Sequence, residues 1–508
     1  MNSPTWFKLK AYPHIGYPLT PKDSPKTCAY IRNPKKIATH PFCPFIHKEI
    51  KTPKYRKQYD PQGNLLNNGK RKYMKPKFRD IYFANHVDAN IFSYYSFLLA
   101  RKYENELKKR KLSEVVTAYR KIPLNTNKNE TNKCNIDFAN DVFNYIRENS
   151  QSNDLIAITF DITGFFDNLD HKYLRECWYK IWGVKDKDGH LPKDHYNVFK
   201  AITKFSYIEE QELFNLFKDK IIVKTKSGIT KSKPVKKISY LRDQNALAYC
   251  ELKDLHKIRA RGLIYSNKYQ KSLNRLRESG ICQGSPISAT LANIYMLEFD
   301  DYINQKILEM DGIYRRYSDD MVVVCHNKYK DEIINLFQKE IIQRCMLSIQ
   351  PDKTQVFHFM KQANQLTCLQ EFDGVINHNS SKRKFEYLGF SFDGNNVYLK
   401  TSVLAKYYRK MKTGVRRRAY YTNRINNDTR GEMFIKCLYK QYSYVGAKPS
   451  KSFYRVKGTT NRWVESKRNN WGNFIGYAQK ANRRITNNKI KYQIKNHWKI
   501  LNMQISRY

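Results

Sequence analysis

The chain is short of paired cysteines and of carboxylates, and both shortages restrict what it can be. Its ten cysteines form no Cys-x-x-Cys pair, so a zinc ribbon or a dithiol redox centre has no support. The 508 residues include 46 Asp and Glu against 93 Lys and Arg, which gives a formal net charge of +47. A positive charge of this size favours a polyanionic partner.

Long apolar runs, a secretion signal and internal repeats are also missing from the sequence. A membrane-spanning helix needs roughly 18 or more consecutive apolar residues, and the first residues lack the charged and apolar regions of a signal peptide. We therefore expect a cytoplasmic protein without a membrane partner. Its length suits two or three domains with a sizeable core.

The positive charge is concentrated at the two ends of the chain. Residues 401–508 hold 26 Lys and Arg against three Asp and Glu, and residues 1–80 hold 18 against four. The C-terminal basic stretches are interleaved with aromatic residues, as in KYYRKMKTGVRRRAYYTNR. Because cations neutralise phosphates and flat rings stack on bases, this pattern is typical of proteins that bind single-stranded nucleic acid. An anionic membrane surface is less favoured, since no amphipathic anchor is present.

RRYSDDMVVV, residues 315–324, places two adjacent carboxylates before an apolar β-branched run. The pattern predicts strands at 312–317 and 321–325 with a tight turn between them. Neighbouring side chains on a strand point to opposite faces, so only a turn brings Asp319 and Asp320 to one site. A divalent cation such as Mg²⁺, which prefers carboxylates and substrate phosphates, would offset their repulsion. A hairpin with a polar tip is the alternative interpretation.

A third carboxylate, Asp161, follows the apolar run LIAITF, which predicts a buried strand. An acid at the tip of a buried strand is well placed to bind a metal. The segment DITGFFDNLDHKYL then leads into a helix that starts near Asp170, so Asp167 and Asp170 can be helix caps instead. Further along, CQGSPIS predicts a long helix capped by Ser285, with Pro286 at its first position.

Periodicity predicts further elements around these motifs. Apolar residues repeat at helical spacing within 80–112, and 136–149 and 331–346 also fit helices. LSIQPDKTQVF is expected to be a strand carrying Lys353, and FEYLGFSFDGNNVYLK a hairpin with a Gly-Asn-Asn tip. KTKSGITKSKPVKK is expected to be a basic loop, and residues 1 to about 75 an extended arm with turns.

In this order, the motifs resemble the palm of a reverse transcriptase. The matching motifs are FDITGFFDNLDH, CQGSPIS, YSDD, PDKT and YLGF, within about residues 155–400. The resemblance is to bacterial enzymes related to those of retrons and group II introns. The stretches FRDIYFANHVDANIFSYYSFLL and AYRKIP are most similar to the defence-associated, or abortive-infection and antiviral, group of reverse transcriptases.

The resemblance implies an α+β right-hand polymerase with fingers, palm and thumb, a small antiparallel palm sheet and a helical, basic C-terminal region. It implies a basic N-terminal arm at 1–78, fingers at 79–150, a palm at 151–400 and a thumb at 401–508. The palm would contain an insertion around 185–280, because the spacing between Asp161 and Gln283 is long.

The implied activity is RNA-directed DNA polymerisation with two Mg²⁺ ions, or Mn²⁺ in their place. Two metals can stabilise the attacking and the leaving oxygen of phosphoryl transfer. Asp161 and Asp319 would bridge the ions, Asp320 would support the ion on the primer side, and the Ile162 carbonyl would be a further ligand.

The resemblance also implies roles in nucleotide and primer binding. Phe166 would lie beneath the incoming sugar and exclude a 2′-hydroxyl, although one ring of the Phe165–Phe166 pair must be core. Gln283 would contact the nucleotide, and Gly284 would allow close backbone approach. The remaining implied roles are a triphosphate clamp (Arg120, with an ordinary surface arginine as the alternative), a cation beside pyrophosphate (Lys353) and a primer grip (Tyr387, Leu388, Gly389, Phe390).

The partners implied by the resemblance are an RNA template, a structured non-coding RNA, dNTPs and the DNA product, in antiviral defence in the bacterial cytoplasm. A homo-oligomer remains open. Enzymes resembling this group can start synthesis on a protein hydroxyl, and the terminal Tyr508 is a candidate because chain ends are seldom pinned by packing. The alternatives are a group II-like maturase, against which the missing endonuclease tail counts, and a catalytically silent RNA-binding protein on a polymerase scaffold.

Overall fold

The computed structural model describes residues 4–58, 66, 68, 70–125, 128–150, 154–183, 190–225, 228–270, 275–362, 365–372, 374–376, 384–425, 433, 435–448, 450–455, 463–470 and 472–508. The chain divides into two compact units. The first unit comprises Met1–Arg120, Thr159–Val323 and Tyr329–Thr354. The second unit comprises Lys121–Ile158, Val324–Lys328 and Gln355–Tyr508. In the parts of the chain that the structure describes, no helix has the length and apolar character needed to span a membrane.

The expected mixture of helices and sheets is confirmed. The helices of the described residues are α1 (Ser24–Ile31), α2 (Pro34–Ala38), α3 (His86–Lys109), α4 (Asn135–Asn149), α5 (His171–Trp182), α6 (Lys193–Thr203), α7 (Glu210–Phe217), α8 (Leu255–Ala260), α9 (Ser288–Tyr295), α10 (Leu297–Glu309), α11 (Lys330–Cys345), α12 (Thr401–Ile425), α13 (Ile435–Tyr442), α14 (Phe474–Arg484), α15 (Ile490–Ile494) and α16 (His497–Ile505).

The strands of the described residues are β1 (His14–Ile15), β2 (Phe45–Glu49), β3 (Thr52–Lys57), β4 (Arg71–Lys77), β5 (Asp80–Phe83), β6 (Pro123–Asn125), β7 (Lys128–Asn132), β8 (Leu155–Asp161), β9 (Ser206–Glu209), β10 (Ile221–Lys224), β11 (Thr230–Lys233), β12 (Ala246–Cys250), β13 (Tyr265–Ser266), β14 (Tyr269–Gln270), β15 (Arg275–Leu276), β16 (Ile313–Tyr317), β17 (Asp320–His326), β18 (Gln355–Gln362), β19 (Gln365–Phe372), β20 (Val375–Ile376), β21 (Phe385–Tyr387), β22 (Phe390–Phe392), β23 (Val397–Leu399), β24 (Ser450–Arg455) and β25 (Trp463–Asn470).

In the first unit, the N-terminal segment and the segment after α6 build their sheets together. One sheet has the order β1-β12-β10-β11, and β1 pairs in parallel with β12. A second sheet has the order β13-β9-β2-β5, and β2 pairs in parallel with β9. Ile15 and Ile46 from the N-terminal segment share one apolar cluster with Ile208, Leu213 and Tyr249. The N-terminal segment therefore contributes core residues to the expected insertion.

Four local expectations are wrong. Residues 1 to about 75, expected to be an extended arm with turns, contain helices α1 and α2 and the core residues Ile15 and Ile46. The basic segment KTKSGITKSKPVKK includes strand β11, whose four residues pair with β10. Helix α9 begins at Ser288, so Ser285 is not its cap, and a buried turn precedes the helix. Lys353 ends a 3-10 turn, Pro351–Lys353, before strand β18 starts. The strand conformation of β11 depends on its pairing with β10, which the pattern of a single sequence does not show.

The second unit contains the strands β18-β19-β20, the meander β21-β22-β23 and the helices from α12 onward. Both φ angles of the turn between β21 and β22 are positive, at Leu388 and Gly389, which fits a tight two-residue hairpin turn. Helix α4 also belongs to this unit, where Asp137 forms an ion pair with Arg484 at 2.9 Å. The region after residue 400, expected to be mostly helix, also contains the hairpin β24-β25.

We predict that Ile15→Ala weakens the β10-β12 region, although the two segments lie more than 200 residues apart in sequence. Ile15 is fully buried, and truncating such a side chain costs about 2–5 kcal/mol. Hydrogen exchange of the amides in 246–250 should accelerate. The control is Leu9→Ala, because Leu9 is 48% exposed. Unchanged exchange in 246–250 with Ile15→Ala would show that the two segments do not share a core.

Candidate active site

The three candidate metal-binding carboxylates lie in the first unit, at one end of two neighbouring strands. Strands β8 and β17 are adjacent in the sheet. The Asn327 amide after β17 donates to the Asp154 carbonyl before β8 at 2.9 Å, so the two strands run antiparallel. The end of β8, at Asp161, and the start of β17, at Asp320, are therefore at the same edge, with Asp319 in the turn before β17.

A tight turn at Ser318 presents Asp319 and Asp320, as the sequence predicts. Ser318 has a φ of 62°, in the left-handed region that a non-glycine residue seldom adopts. Its backbone carbonyl accepts a hydrogen bond from Arg316 Nη1 at 3.1 Å. The Asp319 carboxylate makes no hydrogen bond or ion pair with the described residues, and Asp320 is exposed. The turn thus holds both acids toward solvent, where a cation can reach them.

Arg316 is fully buried and is held by an equally buried carboxylate, Asp300 on α10. Its Nη2 lies 2.6 Å from Asp300 Oδ2, and both side chains are 0% exposed. The Tyr314 hydroxyl donates to the same carboxylate at 2.9 Å. Burial opposes the charge on Arg316, but the Asp300 carboxylate outweighs it and raises the pKa of the guanidinium. Arg316 is therefore charged, and the pair connects α10 with the turn.

Lys353 lies against Asp161, which was not expected from the sequence. Its Nζ donates to Asp161 Oδ1, and the two side chains are 33% and 20% exposed. The Gln350 amide donates to the Asp161 carbonyl at 2.9 Å, which fixes the turn that carries Lys353. Among the described residues, no group of three or more His, Cys, Asp or Glu side chains is close enough to hold a metal ion. The ammonium shows that a cation fits beside Asp161, where carboxylate oxygens suit a hard divalent ion.

The segment 278–284 is bound to the segment after β8 by backbone hydrogen bonds. The Ile281 amide donates to the Phe166 carbonyl at 2.9 Å, and the Gly280 amide to the Leu169 carbonyl at 2.8 Å. Phe165 is 4% exposed and Phe166 is partly exposed, so Phe165 is the core ring of the pair. Phe166 is thus the ring that a nucleotide can reach.

Gly284 is required where it stands for a backbone reason. Its φ is +109°, and a Cβ there would lie 2.6 Å from the Tyr82 carbonyl oxygen of β5. The Tyr82 amide donates to the Gln283 carbonyl at 2.7 Å. The Gln283 side chain is partly exposed and has no hydrogen-bond partner among the described residues. The turn therefore leaves the Gln283 amide group available to a ligand.

Asp167 and Asp170, which follow Asp161 in sequence, are not part of the group of candidate metal-binding acids. Asp170 accepts a hydrogen bond from the Tyr173 amide at 2.8 Å and caps α5, as one of the interpretations above expects. Burial, followed by the charge of Asp80, raises the pKa of Asp167. Neither acid stands at the strand edge that carries Asp161.

Arg120 is engaged within the protein. Its Nε and Nη2 donate to Glu104 at 2.8 and 2.7 Å, and its Nη1 donates to the carbonyls of Ser113 and Val116. The side chain is 6% exposed. These hydrogen bonds of the guanidinium hold α3 against the segment 113–120. A triphosphate could bind Arg120 only after they were broken.

Cations on the hairpin β3-β4 are the group that sequence reasoning missed. Desolvation is the main cause of a lowered pKa at Lys54, and the charges of Arg56, Lys353 and Lys77 lower it further. Lys54 is therefore near Lys353. The alternation of basic and aromatic residues in TPKYRK and RKYMKPK was a usable signal, but the surrounding prolines favoured the interpretation as an extended arm.

The remaining predicted residues belong to the second unit. Tyr387 and Phe390 are buried, and the turn between them exposes parts of Leu388 and Gly389. The Lys400 amide donates to the Gly389 carbonyl at 3.0 Å, which ties the turn to the start of α12. Tyr508 is 59% exposed, just after α16.

We predict that Asp300→Asn lowers the free energy of unfolding by about 3–5 kcal/mol, because it leaves the buried Arg316 charge uncompensated. Denaturant titration measures the change. The control is Glu309→Gln, which breaks the exposed Lys306–Glu309 pair at 2.7 Å and should cause no measurable change. The double variant Asp300→Leu/Arg316→Met should recover most of the loss. Equal stability of Asp300→Asn and the wild type would contradict the assignment.

One protein family matches part of this chain. Residues 248–392 match the family model described as reverse transcriptase (RNA-dependent DNA polymerase). The matched segment contains Gln283, Asp319, Asp320 and Lys353 and begins after Asp161. A search of curated proteins found no match.

Solved structures of telomerase are similar at a low level. Apo telomerase from Candida tropicalis, truncated from the C-terminal domain, gives a TM-score of 0.36 at 12% identity, covering 70% of this chain and 57% of that one. Telomerase from Candida albicans, in complex with a TWJ fragment of telomeric RNA, gives a TM-score of 0.34 at 11% identity, covering 72% of this chain and 51% of that one. The chain thus spans little more than half the length of these structures, and the scores are too low to support a shared overall fold. The family match identifies a domain of RNA-directed DNA polymerase type, a nucleotidyltransferase domain, within residues 248–392.

Proposed function

We propose that the protein is an RNA-directed DNA polymerase whose carboxylates at the β8-β17 edge support dNTP transfer. The observation that carries the proposal is that Asp161, from outside the matched segment, lies at the same edge of neighbouring strands as Asp319 and Asp320, from inside it. A chance Tyr-x-Asp-Asp would not be accompanied by an independent strand-tip acid at the same place.

The carboxylates would hold the metal ions. Asp161, Asp319 and Asp320, with the Ile162 carbonyl, would bind two Mg²⁺ or Mn²⁺ ions. When bound, such ions stabilise the attacking and leaving oxygens of an in-line displacement. Lys353 would then leave the Asp161 carboxylate and present its ammonium to the departing pyrophosphate, as a cation or a proton donor.

The incoming nucleotide would be positioned by the loop 281–284 and by the partly exposed ring of Phe166. Gln283 has a free side-chain amide for it, and Gly284 permits the close turn. For the triphosphate, we propose the cations of hairpin β3-β4, with Lys54 first, in preference to Arg120. The buried Arg120 would have to give up Glu104, whereas Lys54 is partly exposed and lies near Lys353.

The proposed partners are an RNA template, dNTPs, the DNA product and a structured non-coding RNA bound by the basic C-terminal region. The 26 Lys and Arg of residues 401–508 support this binding. A role in bacterial antiviral defence, in the cytoplasm, rests on the resemblance of FRDIYFANHVDANIFSYYSFLL and AYRKIP to that group. Tyr508, with its exposed ring, is the proposed hydroxyl if synthesis starts on protein.

The first test is incorporation of labelled dNTPs on a primed RNA template. Asp161→Asn and Asp319→Asn should each abolish incorporation, by at least about three orders of magnitude, because metal-centred charge stabilisation contributes several kcal/mol. RNA binding should persist, since the basic surface is unchanged. The control is Asp331→Asn, whose carboxylate is 84% exposed on α11. Incorporation by Asp319→Asn at the wild-type rate would refute the mechanism.

The same experiment separates the proposal from its alternatives. A catalytically silent RNA-binding protein or a group II-like maturase would show no incorporation in the wild type, while RNA binding remained. If wild-type protein binds RNA but incorporates no dNTP with Mg²⁺ or Mn²⁺ on any primed template, the silent alternative replaces the polymerase.

Phe166 supplies a prediction about sugar selection. Phe166→Ala should raise the ratio of rNTP to dNTP incorporation by at least about tenfold, the discrimination that one steric contact in a pocket provides. The ratio is measured with matched nucleotides on one template. Tyr196→Ala is the control, because Tyr196 is 41% exposed on α6. An unchanged ratio would assign sugar selection to another residue.

A further inference from the structure

Two adjoining clefts lie on the second unit along helix α12. The first has a volume of about 630 Å³ and lies between α12, α13 and the start of α14. The second has a volume of about 380 Å³ and follows the next turns of α12. Lys406, Lys410 and Tyr442 line both clefts, so the two form one continuous surface, which we call the α12 cleft.

The α12 cleft has a rim of cations. Among the residues that the structure describes, its lining includes no Asp or Glu, and none of its cations forms an ion pair. Lys406 and Lys410 stand four residues apart on the helix, where like charges destabilise it. A partner of opposite charge would remove this cost. The cations of the lining are Lys406, Arg409, Lys410, Arg417, Arg418 and Lys440.

The floor of the first cleft is aromatic and tightly built. The rings of Tyr407 and Phe474 are stacked, with centroids 4.5 Å apart at 26°. Tyr442 closes against α12 at Gly414, where a Cβ would lie 2.6 Å from its hydroxyl oxygen. Phe474 and Val403 are partly exposed. Flat rings below and cations around the edge match a nucleobase with its phosphates.

The size and position of the cleft restrict the ligand further. A volume near 630 Å³ falls in the range of sites for single small molecules, which fits one unstacked base better than a base-paired duplex. Val403 lies beside the turn between β21 and β22, since a Cβ on Gly389 would be 4.0 Å from its Cγ2. A strand that passes this turn would reach Lys406 within one turn of the helix.

We propose that the α12 cleft binds single-stranded nucleic acid, with one unstacked base on the Phe474 side and the following phosphates along Arg409, Lys410 and Arg417. The proposal adds to the proposed function a preference for a single strand at this surface. It shares with that function only the nature of the ligand, because binding here needs none of the carboxylates of the first unit. A free nucleoside triphosphate has the same chemistry and is the other source of such a ligand.

The test uses full-length Asp319→Asn protein and fluorescence anisotropy with a labelled 12-nucleotide oligo(dT) and the matching oligo(U). Lys406→Ala/Lys410→Ala should weaken binding at least tenfold and lower the salt slope by about 1.4, which is two phosphates at about 0.7 each for a single strand. The matched control is Lys412→Ala/Arg416→Ala, which removes two exposed cations from the same helix that do not line the clefts. The control should weaken binding less than threefold. Equal losses in the two double variants would overturn the proposal.

A second variant tests the base rather than the charge. Wild-type affinity should fall at least fivefold for an oligonucleotide with abasic sites, because stacking of one base contributes about 1–3 kcal/mol. Val403→Trp, which fills the first cleft, should bind the normal and abasic strands equally. Equal binding of both strands by the wild type would overturn the base site, as would duplex binding as tight as single-strand binding.

Two further measurements distinguish a nucleic-acid strand from a free nucleotide as the ligand, and this binding proposal from the polymerase proposal. Free dTTP should displace the oligonucleotide only at concentrations far above the oligonucleotide's own dissociation constant. Displacement at or below that constant would assign the cleft to free nucleotides and overturn the strand site. Primer extension is measured separately with wild-type protein, so a failure there counts against the polymerase and leaves these binding results standing.

Discussion

The buried Arg316–Asp300 pair is the interaction on which the candidate active site depends. Its guanidinium contacts the Asp300 carboxylate, the Asn293 amide oxygen at 3.3 Å and the Ser318 carbonyl. Through them it joins α9, α10 and the turn before Asp319. The backbone of the same residue bonds to Val115 and Thr117, which attaches the hairpin to the segment before Arg120. Desolvating two charges is costly, and an apolar pair of the same shape is often as stable. What an apolar pair cannot supply is a donor for the Ser318 carbonyl, whose residue is held at a positive φ.

The nucleotide side of the site is organised by backbone contacts instead. Amides of 280 and 281 bond to carbonyls of the segment after β8, and a Cβ at Gly280 would lie 2.7 Å from the Asp167 carbonyl oxygen. A Cβ at Gly284 would likewise lie 2.6 Å from the Tyr82 carbonyl oxygen. Main-chain groups therefore set the distance between this loop, the Phe166 ring and β5, while the Phe166 and Gln283 side chains stay free for a ligand. A side chain added at Gly280 would push the loop away from the segment that carries Phe166, and one added at Gly284 would push it away from β5.

The sequence was sufficient for elements whose signal is local. Helices α3, α4 and α11, strand β8 and the hairpin at Ser318 each have their own periodicity or turn residues, and each is confirmed. It was insufficient where a partner distant in sequence decides the outcome. Ile15 becomes core only because β12 pairs with it, and Lys353 meets Asp161 only because Gln350 fixes the turn between them. Arg120 lies in a motif that suggested binding to phosphate, but its Nε and Nη2 donate to Glu104 on α3 instead. The order of the acidic motifs could be predicted from the sequence, whereas the partners of their side chains could not.

The two units use positive charge differently, and this difference bears on how nucleic acid would be handled. In the first unit three cations near the candidate site are paired with carboxylates: Arg316 with Asp300, Arg120 with Glu104, and Lys353 with Asp161. Such pairs fix the positions of the side chains, and because each charge is neutralised by its partner, they attract a ligand only weakly. The cations of the α12 cleft have no carboxylate partner among the described residues, so their field extends into solvent, where it attracts phosphates and weakens with added salt. The cations along α12 are therefore suited to long-range attraction, and the paired cations of the first unit to short-range positioning. Lys353 shares both properties, because it is partly exposed and is paired with Asp161, one of the candidate metal-binding acids. If the proposed divalent ion binds there, this pairing has to change, so Lys353 is the residue through which cation binding and phosphate binding would be coupled.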